Sequence, residues 1–282
     1  DWVDKAFMDG KTVIVQTAPA VRAALAEEFG HKIGEIDATG KMVAALHRLG
    51  FYRVFDTNFA ADLTIMEEAT ELLNRIQNKG LLPQITSCSP GWINYCEYFY
   101  PELLHHLSTC KSPHEMEGAI IKNYFAKVHN LDPKDLFVVS VMPCTAKKGE
   151  AKRRELADEA GLADVDAVLT TRELALMIRR AGLIFDDLPE EEFDQDLLGE
   201  YSGAGVIFGA SGGVMEAALR TAYFTLTGKE AGALEFVAVR GMEGIKEAEF
   251  AFPGSTLKVA VASGMKNAKP LLEQIKAGKS PY

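Results

Sequence analysis

What this sequence of 282 residues lacks narrows it first. No apolar run approaches the roughly 18 residues that a bilayer-spanning helix needs. Its opening, Asp1-Trp2-Val3-Asp4-Lys5, has neither the basic start nor the apolar core of a secretory signal. No Met leads it, so it reads as a segment of a longer chain. Four cysteines are too few for a disulfide framework and suit a reducing cytoplasm. No Cys-x-x-Cys and no His pair gives the spacing of a tetrahedral site, which argues against structural zinc. Basic charge is scarce. Lys and Arg number 30 against 40 Asp and Glu, a net charge of −10 that argues against nucleic acid as a partner. There is no membrane segment and no evident repeat.

What is present is ordinary globular material, with 48% hydrophobic residues, enough for one large domain or two lobes. The run 11–17 is rich in β-branched residues and reads as a buried parallel strand. Strands are also expected at 51–57, 81–85, 136–142, 167–170, 235–239 and 257–262. Helices are expected at 21–29, 41–49, 62–78, 93–100, 115–129, 171–181, 214–226 and 267–277. This alternation predicts an α/β fold with parallel strands and crossover helices. We expect two lobes, 1–114 and 115–282, each a mostly parallel four-stranded sheet flanked by helices, though only three strands are visible in the first. The acidic segment 186–196 reads as a solvated surface loop.

The chain is organised around Thr86-Ser87-Cys88-Ser89-Pro90-Gly91-Trp92, between an expected strand and an expected helix. A thiol there meets outward-pointing N–H groups and the positive end of a helix dipole, which favours a thiolate for metal ligation or proton transfer. Met142-Pro143-Cys144 repeats the situation, with Lys147 and Glu150 following. Buried inert thiols are the commoner fate of a cysteine. Two cysteines at strand ends, each beside a Pro, favour function here. Cys96 and Cys110 read as structural. Glu68 and Glu71 are three apart on one helix and share a face, for which a solvated surface is the ordinary reading. The glycine-rich stretch 203–213 before a helix invites a phosphate reading, but it has no Walker Lys and no G-x-G-x-x-G.

The stretch Thr86–Trp92 resembles the Thr-Ser-Cys-Cys-Pro-x-Trp motif of the [FeFe]-hydrogenase catalytic domains, with Ser89 in place of the second Cys. Met142 to Glu150 matches that family's Met-Pro-Cys-x-x-Lys-x-x-Glu in full. Residues 16–22, 58–71, 111–113, 170–174 and 199–205 are similar too, so the resemblance runs through essentially the whole chain. It implies an active site in a cleft between the two lobes. It implies a [4Fe–4S] cubane joined through a Cys thiolate to a di-iron unit with CO, cyanide and a bridging dithiolate. By this resemblance Cys144 ligates the cubane. Lys147 pairs with a cyanide. Ala18, Pro19, Ser112, Pro113, His114, Met142, Phe208 and Gly209 line the di-iron pocket, His114 standing where Gln is commoner. Cys88 passes protons, continuing through Glu71, Ser108 and Glu150. Where the family's second Cys would hold the cubane, either Ser89 or Cys96 takes over, or a ligand is lost. The family's third Cys-bearing motif and its N-terminal ferredoxin-like domains do not occur in this chain, so a catalytic-domain fragment with an incomplete site is expected.

The expected function is reversible reduction of protons to H2, with ferredoxin or NADH-linked subunits as electron partners. One rival is a non-catalytic iron–sulfur scaffold or H2 sensor, which Ser89 favours. A second is a nucleotide-binding α/β enzyme using residues 203–213.

Overall fold

The computed structural model describes residues 2–231, 235, 237–239 and 244–282. Four strands form one fully parallel sheet: β1 (Thr12–Thr17), β2 (Arg53–Asp56), β3 (Leu136–Met142) and β4 (Ala167–Thr170), in the order β2-β1-β3-β4. β1 is central. Thr12 to Thr17 pair with Leu136 to Val141, and Ile14 to Thr17 pair with Arg53 to Asp56. Val13, Ile14, Val15, Val138, Val139 and Val141 are buried, as expected of strands covered by helices on both faces.

The chain divides into two compact units, and neither is continuous in sequence. The first comprises Asp1–Ala60 and Pro113–Ser202 and contains the whole parallel sheet. This differs from the expected division after residue 114. β1 and β2 share a sheet with β3 and β4, because strands pair by apolar face and register, which sequence order does not reveal. Around the sheet lie helices Pro19–Ala24, Thr39–Arg48, Pro113–Ile120 and Thr171–Arg180. Thr170 caps the last of these in a capping box with Glu173. The expected helix 115–129 passes through a π-helical turn, Ile121–Phe125.

The acidic segment 186–196 is not simply solvated. Glu191 and Asp194 contact His47 at 2.7 and 3.1 Å, Asp196 takes Arg53 Nε at 2.8 Å, and Asp194 accepts the Val54 N–H at 2.8 Å. The acid is matched to cations on helix Thr39–Arg48 and β2, and the segment closes over the sheet edge.

The second unit comprises Ala61–Ser112 and Gly203–Tyr282. Its sheet is antiparallel and three-stranded among the described residues: β5 (Val237–Ala238), β6 (Ile245–Phe252) and β7 (Ser255–Ala262). No parallel four-stranded sheet is described there. β6, absent from the expected strands, alternates buried Ala248, Phe250 and Phe252 with the more exposed Glu247, Glu249 and Ala251. It turns back through Gly254, whose φ of 82° suits glycine. Phe250 and Phe252 pack on Leu219 and Ala222 of helix Gly213–Thr227 and on Ala69 and Leu73 of helix Asn58–Gln77. Of the expected strand 235–239, Phe236 lies outside the described residues. The expected strand 81–85 is instead an irregular segment, half-buried to exposed, with one bridge from Ile85 to Leu107. Pro83 has no N–H to give a ladder. No helix among the described residues is long and apolar enough to cross a membrane.

Candidate active site

Cys88 lies in the second unit, half-buried, just ahead of helix Pro90–Phe99. Pro90 supplies the fixed φ that starts the helix. Ser89 holds the N-cap position, yet its side chain makes no capping hydrogen bond and the residue is exposed. The Ile85–Leu107 bridge lays the segment before Cys88 beside the segment holding Ser108. Ser108 N–H donates to Ile85 O at 2.7 Å, and Ser87 Oγ donates to Cys110 O at 2.9 Å.

Two carboxylates of helix Asn58–Gln77 meet there. Ser108 Oγ donates to Glu71 Oε2 at 2.7 Å. Arg75, one turn on, donates to Glu71 Oε1 at 2.6 Å and to the carbonyl of Leu107 at 2.7 Å. Glu68 is buried and touches both the Ser108 hydroxyl and the Ser87 N–H. Burial pushes its carboxyl up to about 7 and the charge of Glu71 adds to this, against the pull of the Ser108 and Ser87 hydrogen bonds. In Glu71 burial also acts upward, but Ser108, Arg75 and the Thr109 amide outweigh it and hold the group below the usual range. Glu67, Thr70, Glu71, Arg75, Thr109 and Cys110 line a cavity of about 430 Å³. The Cys110 thiol lies 3.7 Å from Glu71 Oε2 and is pushed up to about 11 by burial, with the surrounding glutamates adding to it.

In the first unit, Cys144 follows β3 and is exposed. The short helix Lys147–Glu150 then brings the Lys147 ammonium to 2.6 Å from Glu150 Oε2. His114 Nε2 reaches the same oxygen at 2.9 Å, and its Nδ1 faces Ser140 Oγ at 3.2 Å. Since a carboxylate only accepts, Nε2 carries the proton, and Nδ1 can take one from Ser140. Burial drives His114 towards its neutral form. Burial raises Glu150 as well, but the His114 hydrogen bond and the Lys147 charge prevail and hold it at about 2.

The remaining expected residues divide similarly. Ala18, Met142 and His114 are buried, Pro113 is half-buried and Pro19 exposed, all in the first unit. Ser112, Phe208 and Gly209 belong to the second. The structure brings Glu71 together with Ser108, and Glu150 together with Lys147 and His114. Glu68 is the residue that sequence reasoning passed over as surface. Its three-residue spacing from Glu71 was the available signal.

A four-iron cubane takes four thiolates. Among the described residues no three His, Cys, Asp or Glu side chains gather as a metal-holding group. Cys96 is fully buried in an apolar cluster with Trp92, Tyr100 and Leu103, and its thiol donates to Tyr100 O. Desolvation raises that thiol, and the nearby Glu102 and Glu97 add to it. Cys144 offers an accessible sulfur donor. The Ser112 hydroxyl is buried with no hydrogen-bond partner among the described residues, as suits a donor awaiting an acceptor from a bound group. These donors fit part of the expected cofactor and do not make a full ligand set.

The glycine-rich stretch is shaped by its own backbone. A Cβ on Gly213 would fall 1.7 Å from the Ile207 carbonyl oxygen. The Gly205 N–H is taken by Asp62 Oδ1 at 2.7 Å, and a carboxylate at that N–H repels phosphate.

Residues 11–282 match the family described as iron only hydrogenase large subunit, C-terminal domain. The chain is 52% identical over 283 residues to the periplasmic [Fe] hydrogenase large subunit of Nitratidesulfovibrio vulgaris, covering 99% of this chain and 66% of that protein. It is 52% identical over 257 residues to iron hydrogenase 1 of Clostridium pasteurianum, covering 91% of this chain and 44% of that protein. A solved variant of [FeFe]-hydrogenase HydA1 from Chlamydomonas reinhardtii superposes with a TM-score of 0.86 at 41% identity, over 99% of this chain and 80% of that one. Identity falls to 32% with a cytosolic Fe-S cluster assembly factor, narfl, of Xenopus tropicalis, over 98% of this chain and 59% of that protein. The chain thus spans between about half and two thirds of the length of these curated relatives.

Proposed function

The chain belongs to the iron-only hydrogenase large-subunit family, as its C-terminal domain, and from that premise we propose that it forms the catalytic domain of an enzyme interconverting protons and H2. The observation that carries the reading is the Glu68–Ser108–Glu71 arrangement beside Ser87 and Cys88. A scaffold has no need of a buried carboxyl poised near neutrality and joined by a hydroxyl to an ionised one. A cubane joined to a di-iron unit supplies, when bound, the electrons and the open metal position for H2 chemistry.

The chain's own residues then have these roles. With that group bound, Cys144 would be an iron ligand and Ser89 would offer a harder oxygen donor where a further ligand is needed, which would weaken the cubane or lower its potential. Ser112 would donate a hydrogen bond to the bound group, and Ala18, Pro19, Pro113, His114, Met142, Phe208 and Gly209 would shape its surroundings. Lys147 would present an ammonium to an anionic ligand. Cys88 exchanges protons with Glu68. Protonated Glu68 donates to the Ser108 oxygen while the Ser108 O–H donates to Glu71, which faces the cavity of about 430 Å³. Glu150, expected in this relay from the sequence, instead orients Lys147. Its low affinity for a proton unsuits it to pass one.

Electrons come from ferredoxin or NADH-linked subunits. The cytoplasm is the proposed compartment, from four free cysteines, although the Nitratidesulfovibrio relative is periplasmic. Subcellular fractionation of the source cells tests it.

A second reading, an iron–sulfur scaffold or H2 sensor, is favoured by Ser89 and by the assembly-factor relative. The deciding experiment is H2 evolution from reduced methyl viologen by the full-length protein, purified without oxygen and loaded with cofactor. Turnover is expected. Its absence at full iron loading hands the case to the scaffold.

A further inference from the structure

The geometry points to a proton-operated clasp in the first unit: protonated His47 holds the acidic segment 186–196 against the outer edge of β2, and loss of that proton releases the segment. No residue of the clasp has a role in the proposed H2 chemistry, so it stands whether or not that chemistry does. β2 is an outermost strand of the parallel sheet, and the segment is its cover. Asp194 N–H donates to Val54 O at 3.0 Å, and Val54 N–H donates back to Asp194 Oδ2 at 2.8 Å. Glu191 N–H donates to Gly40 O at 3.2 Å.

Histidines His31, His47 and His129 all face this segment. His31 Nε2 lies 2.7 Å from Asp186 Oδ1, and its other nitrogen is 3.9 Å from Glu35 Oε2, beyond a hydrogen bond. His129 Nε2 lies 3.7 Å from Asp196 Oδ2. His47 differs from both. Its Nδ1 is 2.7 Å from Glu191 Oε2 and its Nε2 is 3.1 Å from Asp194 Oδ2. A neutral imidazole has one N–H, and a carboxylate only accepts. Both contacts are hydrogen bonds only when the ring carries two protons and a positive charge. The carboxylates meet different ring nitrogens, and among the described residues no three such side chains gather to hold a metal ion. The proton is therefore what joins them.

Burial works against the charged ring, but the hydrogen bonds and charges of Glu191 and Asp194 outweigh it and hold His47 above the usual histidine range. Two further cations face the segment. Arg53, on β2, lies 3.9 Å from Asp194 Oδ1 and 2.8 Å from Asp196 Oδ2, and Lys41 donates to the Asp186 and Leu188 carbonyls. Lysine and arginine ordinarily stay charged where histidine switches, between about pH 5 and 8. The clasped ring binds its proton more tightly than the released one. Its contribution is therefore full in mild acid and is lost as pH rises through the raised value of the clasped ring. A nitrogen without its proton then turns a lone pair towards a carboxylate, and that contact repels. Buried Leu188 and half-buried Phe193 pack into the same core as the sheet, so release is local and leaves the sheet folded.

The test is hydrogen–deuterium exchange of the full-length protein at about pH 6 and about pH 9, either side of the histidine range, read by mass spectrometry and corrected for the pH dependence of intrinsic exchange. Protection of residues 190–196 should fall by about tenfold from the acid to the alkaline condition, as a tenfold difference in proton affinity between clasped and released ring requires. Peptides from β1 and β3 should not change, which separates release from unfolding. His47→Arg, cationic throughout, should keep its protection in alkali. His47→Gln should have lost it already in acid. Protection of 190–196 that does not depend on pH in the unaltered protein overturns the proposal, and that reading needs no variant. A fall that persists in His47→Arg overturns it as well, because the switch then lies elsewhere. So does a His47→Gln protein, its β1 and β3 intact, that is fully protected in acid.

Discussion

Each unit buries a glutamate among hydrogen-bonding side chains, and the two fare in opposite ways. Glu68 is pushed up to about 7, whereas Glu150 is held at about 2. Burial acts upward on both. The difference is the His114 hydrogen bond to Glu150 and a fixed cation beside it. Lys147 sits 2.6 Å from Glu150, while no cation acts on Glu68, and Arg75 on the same helix is spent on Glu71 and on backbone carbonyls. A carboxyl near neutrality gains and gives up a proton at little cost, and one locked as an ion does neither. Within the second unit Arg75 does for Glu71 what Lys147 does for Glu150, holding it ionised three residues from Glu68.

The largest break in this comparison removes the thiol with which Glu68 is proposed to exchange protons. Cys88→Ala should lower H2 evolution by about 10²–10⁴-fold, the usual worth of a placed acid–base group, with iron per chain unchanged. Iron loss would instead make Cys88 a ligand.

Next, Lys147→Met strips Glu150 of its cation. Breaking a buried pair costs about 3–5 kcal/mol, read by urea unfolding near neutral pH. Glu150 is depressed when folded, so its contribution is full above the ordinary carboxylate range and is lost as pH falls through about 2. The penalty should therefore shrink in acid. A penalty independent of pH would mean that Lys147 acts by packing alone.

Glu68→Gln sharpens the contrast with the opposite sign. Glu68 binds its proton more tightly folded than unfolded, so its contribution is intact in acid and is lost as pH rises through about 7. The variant should slow turnover. It should also raise unfolding stability at alkaline pH by up to about 3 kcal/mol, with little change in acid. An equal effect at both pH values would remove the distinction between the two glutamates.

The smallest effect is expected of Glu71→Gln. Arg75 keeps the Leu107 and His106 carbonyls, so the stability loss should be about 1 kcal/mol or less. Loss of the Glu71 charge should let Glu68 titrate lower, which the infrared band of its protonated carboxyl would report. No movement of that band would show that the Glu71 charge does not reach Glu68.

Much of this was legible in the sequence. The apolar runs of β1 and β3 announced parallel strands, whereas the short helix Lys147–Glu150 after Cys144 was not among the expected elements. The failures were non-local. Nothing near Glu68 says which face of its helix is covered, because the cover comes from Ser87 and Ser108 through the Ile85–Leu107 bridge. The lysine and glutamates of β6 hid its alternation. The segment 186–196 looked like open acid until His47 and Arg53 were seen opposite it.

The parallel sheet also carries a timetable. β1 is flanked by β2 and by β3, and Thr12 waits for Leu136, about 120 residues further along the chain. At about 5–20 residues per second a ribosome needs on the order of 6–25 seconds to supply that partner. Until then β1 has only the short β2 to pair with, and its buried valines and isoleucine face the cell. The nascent chain is therefore at its most adhesive before β3 emerges. Slower synthesis of the intervening stretch should raise its demand for chaperones without altering a single contact of the finished protein.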